Sequence, residues 1–151
     1  MFSKILVCLD GSERAEQVLP SVKEIARRFG SKVVLLQVFD ITALIQMPAQ
    51  LLFKPYWAGQ LRREEDGARD YLERMRKRLE EEGVEAETAT FQALPDEIIV
   101  RYAADSGVDL IAMTTYGRRR RGGAVLGSVA EHVLRRSSLP VLTVRPEETK
   151  T

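Results

Sequence analysis

At 151 residues the chain is long enough for one domain with a sizeable core, and 44% hydrophobic with 30% charged residues is the balance of an ordinary soluble globular protein. A net charge of +1 provides no broad basic face, no apolar stretch reaches membrane-span length, and the opening Met1-Phe-Ser-Lys-Ile lacks a signal-peptide layout. Neither a nucleic-acid partner nor a membrane is therefore expected, and the expected location is cytoplasmic. The single cysteine, Cys8, excludes an internal disulfide framework and a cysteine-based metal site, and inside an apolar run it reads as an inert buried thiol.

Phe2 to Leu9, FSKILVCL, is an apolar run of strand length that stops at Asp10-Gly11-Ser12, a turn into a helix expected from about Glu13 to Phe29. Ala15, Val18, Leu19, Val22, Ile25, Ala26 and Phe29 recur at three- and four-residue steps and give that helix one face to bury. Gly30 closes it, and Pro20 is expected to kink it. Lys32 to Phe39, KVVLLQVF, is almost continuously apolar, as in a strand covered on both faces. Asp40 to Gln60 has no clean period and reads as a long loop with a helical turn, a lid or an interface.

From about Leu61 to Glu82, the positions Ala68, Tyr71, Leu72, Met75 and Leu79 mark an amphipathic helix with a charged outer face, ended by Gly83. Val84 to Phe91 reads as an exposed or edge strand. Pro95-Asp96-Glu97 opens a helix that stops at Gly107, with carboxylates at its positive dipole end. Asp109 to Thr114 is a buried strand, Ser128 to about Arg136 a helix, Leu139 to Arg145 the last strand, and the polar tail from Pro146 is expected to fray. This β-α alternation predicts an α/β fold: a mostly parallel five-stranded sheet with helices on both faces and ligands beyond the carboxyl ends of its strands. The chain divides into residues 1–146 as the domain and 147–151 as the tail.

The stretch from Met113 to Glu131, MTTYGRRRRGGAVLGSVAE, lies at such a strand end. Its glycines can bring backbone N–H groups close to an anion, and the following helix N-terminus adds unpaired donors and a positive dipole end. The same glycines can equally be a flexible connection, with Arg118 to Arg121 as solvated charge. Gly117 and Gly122 have Walker A spacing, but Gly123-Ala124 follows where Lys-Ser/Thr should stand, and no Gly-x-Gly-x-x-Gly follows any strand. Ser128-Val-Ala-Glu131 has the pattern of a capping box.

These residues resemble the universal stress protein family over essentially the whole chain. The resemblance rests on the opening strand with Asp10-Gly11-Ser12, the second strand ending near Val38, the strand Asp109-Leu-Ile-Ala-Met113, and Gly127-Ser-Val-Ala-Glu131 followed by Leu139-Pro-Val-Leu142. The nucleotide-binding branch carries Gly-x2-Gly-x9-Gly-Ser/Thr. Gly117, Gly127 and Ser128 fit it, while Thr114 stands at the first glycine. The resemblance implies a sheet ordered 3-2-1-4-5 and a bound adenine nucleotide such as ATP. Asp10 would meet the adenosine portion and the backbone of Val38 the adenine, with Gly117, Gly127, Ser128 and Val129 on ribose and phosphates. Met113, Thr114 and Arg118 complete the candidate binding set. A homodimer through Val141 to Arg145 is also implied.

Beside that reading, Asp10 has an alternative as a helix cap, and Ser128 as a cap rather than a ligand. A Mg²⁺ ion would take most of its ligands from phosphate and water. No general base is visible in the loop, no catalytic residue is assigned, and the only histidine, His132, reads as a surface or interface residue. Two functions compete: a nucleotide-dependent regulator that signals to a protein partner, and a dimeric interaction module that binds no nucleotide. A slow ATPase is a third.

Overall fold

The structure, a computed structural model, describes residues 1–52, 55–117 and 125–148. In chain order the elements are β1 (Lys4–Leu9), a 3-10 turn (Ala15–Val18), α1 (Leu19–Phe29), β2 (Lys32–Asp40), α2 (Thr42–Ile45) and α3 (Ala49–Leu52). There follow α4 (Pro55–Glu81), β3 (Ala86–Ala93), α5 (Pro95–Asp105), β4 (Leu110–Thr114), α6 (Ser128–Arg136) and β5 (Val141–Val144). The five strands form one parallel sheet in the order β3-β2-β1-β4-β5, the order that the family resemblance implies.

Strand alternation divides the core in two. Ile5, Val7, Leu9, Val33, Leu35, Leu110 and Ala112 pack with α1 and α4 residues such as Val22, Leu72 and Leu79. Leu6, Val34, Leu36, Ile111 and Met113 face the other way, against Ile99 and Ala103 of α5 and Ala130 and Val133 of α6. Both faces of the sheet are thus covered, which is why β1, β2 and β4 read as unbroken apolar runs rather than alternating ones. At the opposite end from the site, the Asp109 carboxylate accepts the N–H groups of Ser3 (2.7 Å) and Lys4 (3.0 Å) and fixes where β1 starts against β4.

Several expectations change. The first helix is split: a 3-10 turn precedes α1, and Pro20 lies in the first turn of α1, where its missing N–H leaves no bond unmade, so it starts the helix rather than kinking it. The segment 40–60 is largely helical rather than a loop. Pro48 immediately precedes α3 and Pro55 opens α4, so the prolines punctuate short helices, and α4 begins six residues before Leu61. The Ser128 capping box does not form: Gly127 is the cap residue, with φ −74° and ψ 164°, and no side chain caps the helix. Closure of the loop decides this, because the Gly127 N–H is bonded to the Thr115 carbonyl while its own carbonyl accepts the Glu131 N–H. The tail does not fray at its start, since Pro146 is buried and Glu147 and Glu148 are bonded to the domain.

Leu35 of β2 is fully buried between the sheet and its helices, so Leu35→Ala should lower stability by about 3 kcal/mol through lost transfer energy and the cavity it leaves. Urea denaturation reads this directly, and a loss under about 1 kcal/mol would show that the site collapses around the gap.

Candidate functional site

The carboxyl ends of β1, β2 and β4 are stepped. Pairing of β1 with β2 ends at Leu9 opposite Gln37, whereas β2 continues beside β3 to Asp40 opposite Ala93. From Val38 onward β2 therefore overhangs the end of β1 and forms one wall of a crevice.

Asp10 begins the turn after β1. Its Oδ1 accepts the Ser12 backbone N–H at 2.9 Å and the Ser12 hydroxyl, and that hydroxyl accepts the N–H of Ala15 at 3.2 Å. Ser12 rather than Asp10 thus meets the first turn of the helical segment, and Asp10 braces Ser12. The other carboxylate oxygen, Oδ2, faces Gly117: a Cβ at residue 117 would lie 2.1 Å from it. No side chain fits there while Asp10 keeps its bonds to Ser12, and this close approach accounts for glycine at 117.

The strand end opposite is held by a second set of contacts. Thr114 and Thr115 are two of the three buried polar residues among those described. The Thr114 hydroxyl donates to the Tyr116 carbonyl at 2.9 Å, and strand alternation places its side chain on the face of Leu110 and Ala112. Met113 is buried in the opposite core, so only its backbone is open to a ligand. The Thr115 N–H donates to the Val144 carbonyl and the Thr115 carbonyl accepts the Gly127 N–H at 2.7 Å, which joins the start of α6 to the end of β4. The Thr115 Oγ1 is buried with no partner among the described residues, a polar group in want of one.

An open pocket of about 220 Å³ lies beside this strand end, lined by Asp40, Thr42, Leu94, Pro95, Asp96, Glu97, Ser128 and Val129. It is smaller than the roughly 300–1,000 Å³ of sites that enclose a whole drug-sized ligand, and suits one part of a nucleotide. Asp96 also meets His132, whose Nδ1 lies 3.5 Å from Asp96 Oδ2, so the histidine joins α6 to α5. Among the described residues no cluster of three His, Cys, Asp or Glu could hold a metal ion. Cys8 packs against the α5/α6 core, and loss of hydration pushes its thiol up to about 12, so it is protonated at neutral pH and carries no nucleophile.

The structure therefore brings Asp10 and Gly117 into contact, sets Gly127, Ser128 and Val129 at the start of α6, and places Val38 on the overhanging wall. Arg118 lies outside the described residues. Sequence reasoning missed Arg14, Tyr116 and Glu148. Arg14 Nη1 donates to the Gly117 carbonyl at 2.9 Å, its guanidinium lies 5.2 Å from the centroid of the Tyr116 ring, and Glu148 meets both residues. In an arginine-rich chain nothing singles out Arg14, although Thr115 and Tyr116 stood within the Met113–Glu131 stretch itself.

Together these features define a doubly wound α/β protein with an open crevice where strand order reverses between β1 and β4. The chain belongs to the universal stress protein family, whose sequence profile matches residues 1–145. A universal stress protein of Methanocaldococcus jannaschii, MJ0577, is 34% identical over 96% of this chain and 96% of its own. The solved structure of MJ0577 superimposes with a TM-score of 0.85 at 31% identity, covering 99% of each chain. Two more distant structures share the fold: a universal stress protein of Archaeoglobus fulgidus in complex with dAMP, with TM-score 0.66 and 23% identity over 95% of this chain and 98% of its own, and a universal stress protein in complex with cAMP, with TM-score 0.68 and 20% identity over 95% and 97%.

Gly117→Ala should cost about 1–3 kcal/mol, because its Cβ displaces the Asp10 carboxylate from Ser12. Adding Asp10→Ala removes the collision, so the two substitutions should be less than additive in a double-mutant cycle of unfolding free energies. Strict additivity would mean that Asp10 does not dictate the glycine.

Proposed function

We propose that this protein binds ATP, or another adenine nucleotide, where β1 and β4 end, and acts as a nucleotide-dependent stress-response regulator. The approach of Gly117 to Asp10 carries this reading, because it brings a carboxylate from the first strand end against the bare backbone that opens the glycine loop. The Thr115 hydroxyl, without a partner among the described residues, and the first-turn residues of α6, which line the pocket, are further polar groups suited to a phosphorylated ligand. The adenine nucleotides in complex with two family members favour the same ligand class.

Electrostatics gives the ligand a direction. Asp40, Asp96 and Glu97 line the pocket and repel phosphate, yet their oxygens accept bonds from ribose hydroxyls or an exocyclic amine. The base and sugar then belong toward Val38, Asp10 and the pocket carboxylates, and the phosphates toward Gly117 and Gly127, with Ser128 and Val129 of the pocket wall between the two. Since no group of three His, Cys, Asp or Glu among the described residues could hold a metal ion, Mg²⁺ would travel on the phosphates. Thr114, at the place of the family's first glycine, turns its side chain into the opposite core and leaves the crevice clear, which favours nucleotide binding over the interaction-module reading.

β5 supports assembly into a homodimer. It ends the sheet, and all four of its residues are partly exposed. Since Ile111 donates to Pro140 and Thr115 to Val144, the even-numbered residues of β5 face β4, and the N–H groups of Val141, Thr143 and Arg145 point to the open edge, where a second copy can pair.

Mass spectrometry of the small molecules released on denaturation should recover an adenine nucleotide, and the emptied protein should bind ATP. In Gly127→Ala the added Cβ meets Thr115 O at 3.4 Å, an ordinary contact, so the fold should persist while ATP affinity falls about tenfold or more, roughly 1.4 kcal/mol. An emptied protein that ignores millimolar ATP would overturn the proposal and leave the interaction module.

Sedimentation should give twice the 17.1 kDa chain mass, and Thr143→Pro, which removes an outward N–H and spares the β4 bonds, should give the monomer with the fold intact. A wild-type protein at the single-chain mass would exclude the dimer.

A further inference from the structure

The chain returns from β5 across the end of the sheet and is strapped to the segment after β1. Gln17 grips the backbone of Glu147 at two points, its Nε2 donating to the Glu147 carbonyl at 3.0 Å and its Oε1 accepting the Glu147 N–H at 2.6 Å. Pro146 is buried beneath the crossing. This grip delivers the next side chain to a defined place: Glu148 Oε1 accepts the hydroxyl of Tyr116 at 2.9 Å, and Oε2 lies 3.6 Å from Arg14 Nη2. Tyr116 is only 4% exposed, so its ring is a fixed support. The other arm of the same guanidinium, Arg14 Nη1, holds the carbonyl of Gly117.

Resting on the nucleotide reading above, we infer that Glu148 is a tethered carboxylate that sets how strongly the site discriminates among ligands by their number of phosphates. Gly117 opens the loop that would receive phosphate, and Arg14 is shared between that glycine and Glu148. A phosphate beside Gly117 draws on the same guanidinium, whose fork suits carboxylate and phosphate alike, so the two anions compete for it. Each phosphate charge is also repelled by the carboxylate at short range, whereas uncharged adenosine feels neither effect. The tail therefore weakens binding in proportion to ligand charge. Its strap through Gln17 keeps the carboxylate near Tyr116 and Gly117 even when a ligand takes Arg14.

Glu148→Gln removes the charge and keeps an oxygen for the Tyr116 hydroxyl. Titrations of wild type and this variant with ATP, AMP and adenosine should show ATP bound about three- to tenfold more tightly in the variant, AMP less improved and adenosine unchanged, with the gain shrinking at high salt. Glu147→Gln is the control. It removes the same charge one residue earlier, at a residue held through its backbone, and should leave all three affinities alone. Equal ATP affinity in Glu148→Gln and wild type, or the same gain in Glu147→Gln, would overturn the inference. Inorganic tripolyphosphate, titrated in parallel, separates it from the nucleotide reading. Tighter tripolyphosphate binding in Glu148→Gln by a protein that ignores ATP and adenosine would sink that reading and keep the role of Glu148, while indifference to all three ligands would sink both.

Discussion

Ile5, Leu6 and Val7 pair in parallel with Leu110, Ile111 and Ala112, from the far end of the chain, and the whole carboxyl edge of the sheet depends on that contact. It makes β1 and β4 neighbours although the chain has built β2 and β3 on the other side of β1 in between. Strand order reverses there, the connections leave in opposite directions, and a crevice opens that neither connection fills. Asp109, bonded to Ser3 and Lys4 at the opposite edge, fixes the register, so a slip there would part Asp10 from Gly117 at the other end.

The residues at the crevice divide between holding the fold and facing outward. Met113 and Thr114 are core, and their side chains are spent on packing and on the turn at Tyr116. Thr115 uses its backbone to bind β5 on one side and the start of α6 on the other, so the fourth strand, the last helix and the edge strand are joined as one unit. Gly117 is a glycine because of a carboxylate from the first strand end, whereas a Cβ at Gly127 would make only ordinary contacts with Thr115 and Tyr116. Steric crowding thus accounts for the first of these two glycines alone. Glu148 joins the same unit from outside: its contacts with Tyr116 and Arg14 tie the tail to the turn that carries Gly117.

Charge is arranged with equal economy. The pocket is rimmed by carboxylates, while the loop after Gly117 carries four consecutive arginines in sequence.

The sequence by itself determined the element types, the parallel sheet and the loop of interest, because buried parallel strands leave unbroken apolar runs such as KVVLLQVF, and helices leave three- and four-residue steps ended by glycine. It misjudged the segment 40–60, where Pro48 and Pro55 looked like loop residues and instead stand at helix starts, and it placed the α6 cap on Ser128. What only the tertiary structure decided was which residues meet. Local periodicity carries no information on contacts between Asp10 and Gly117 or among Arg14, Tyr116 and Glu148, since these follow from strand order and from the path of the tail after β5. For the same reason the capping box at Ser128 lost to the bond between Gly127 and Thr115: a local preference of a few tenths to about 2 kcal/mol gives way when a long-range backbone bond sets where the helix begins.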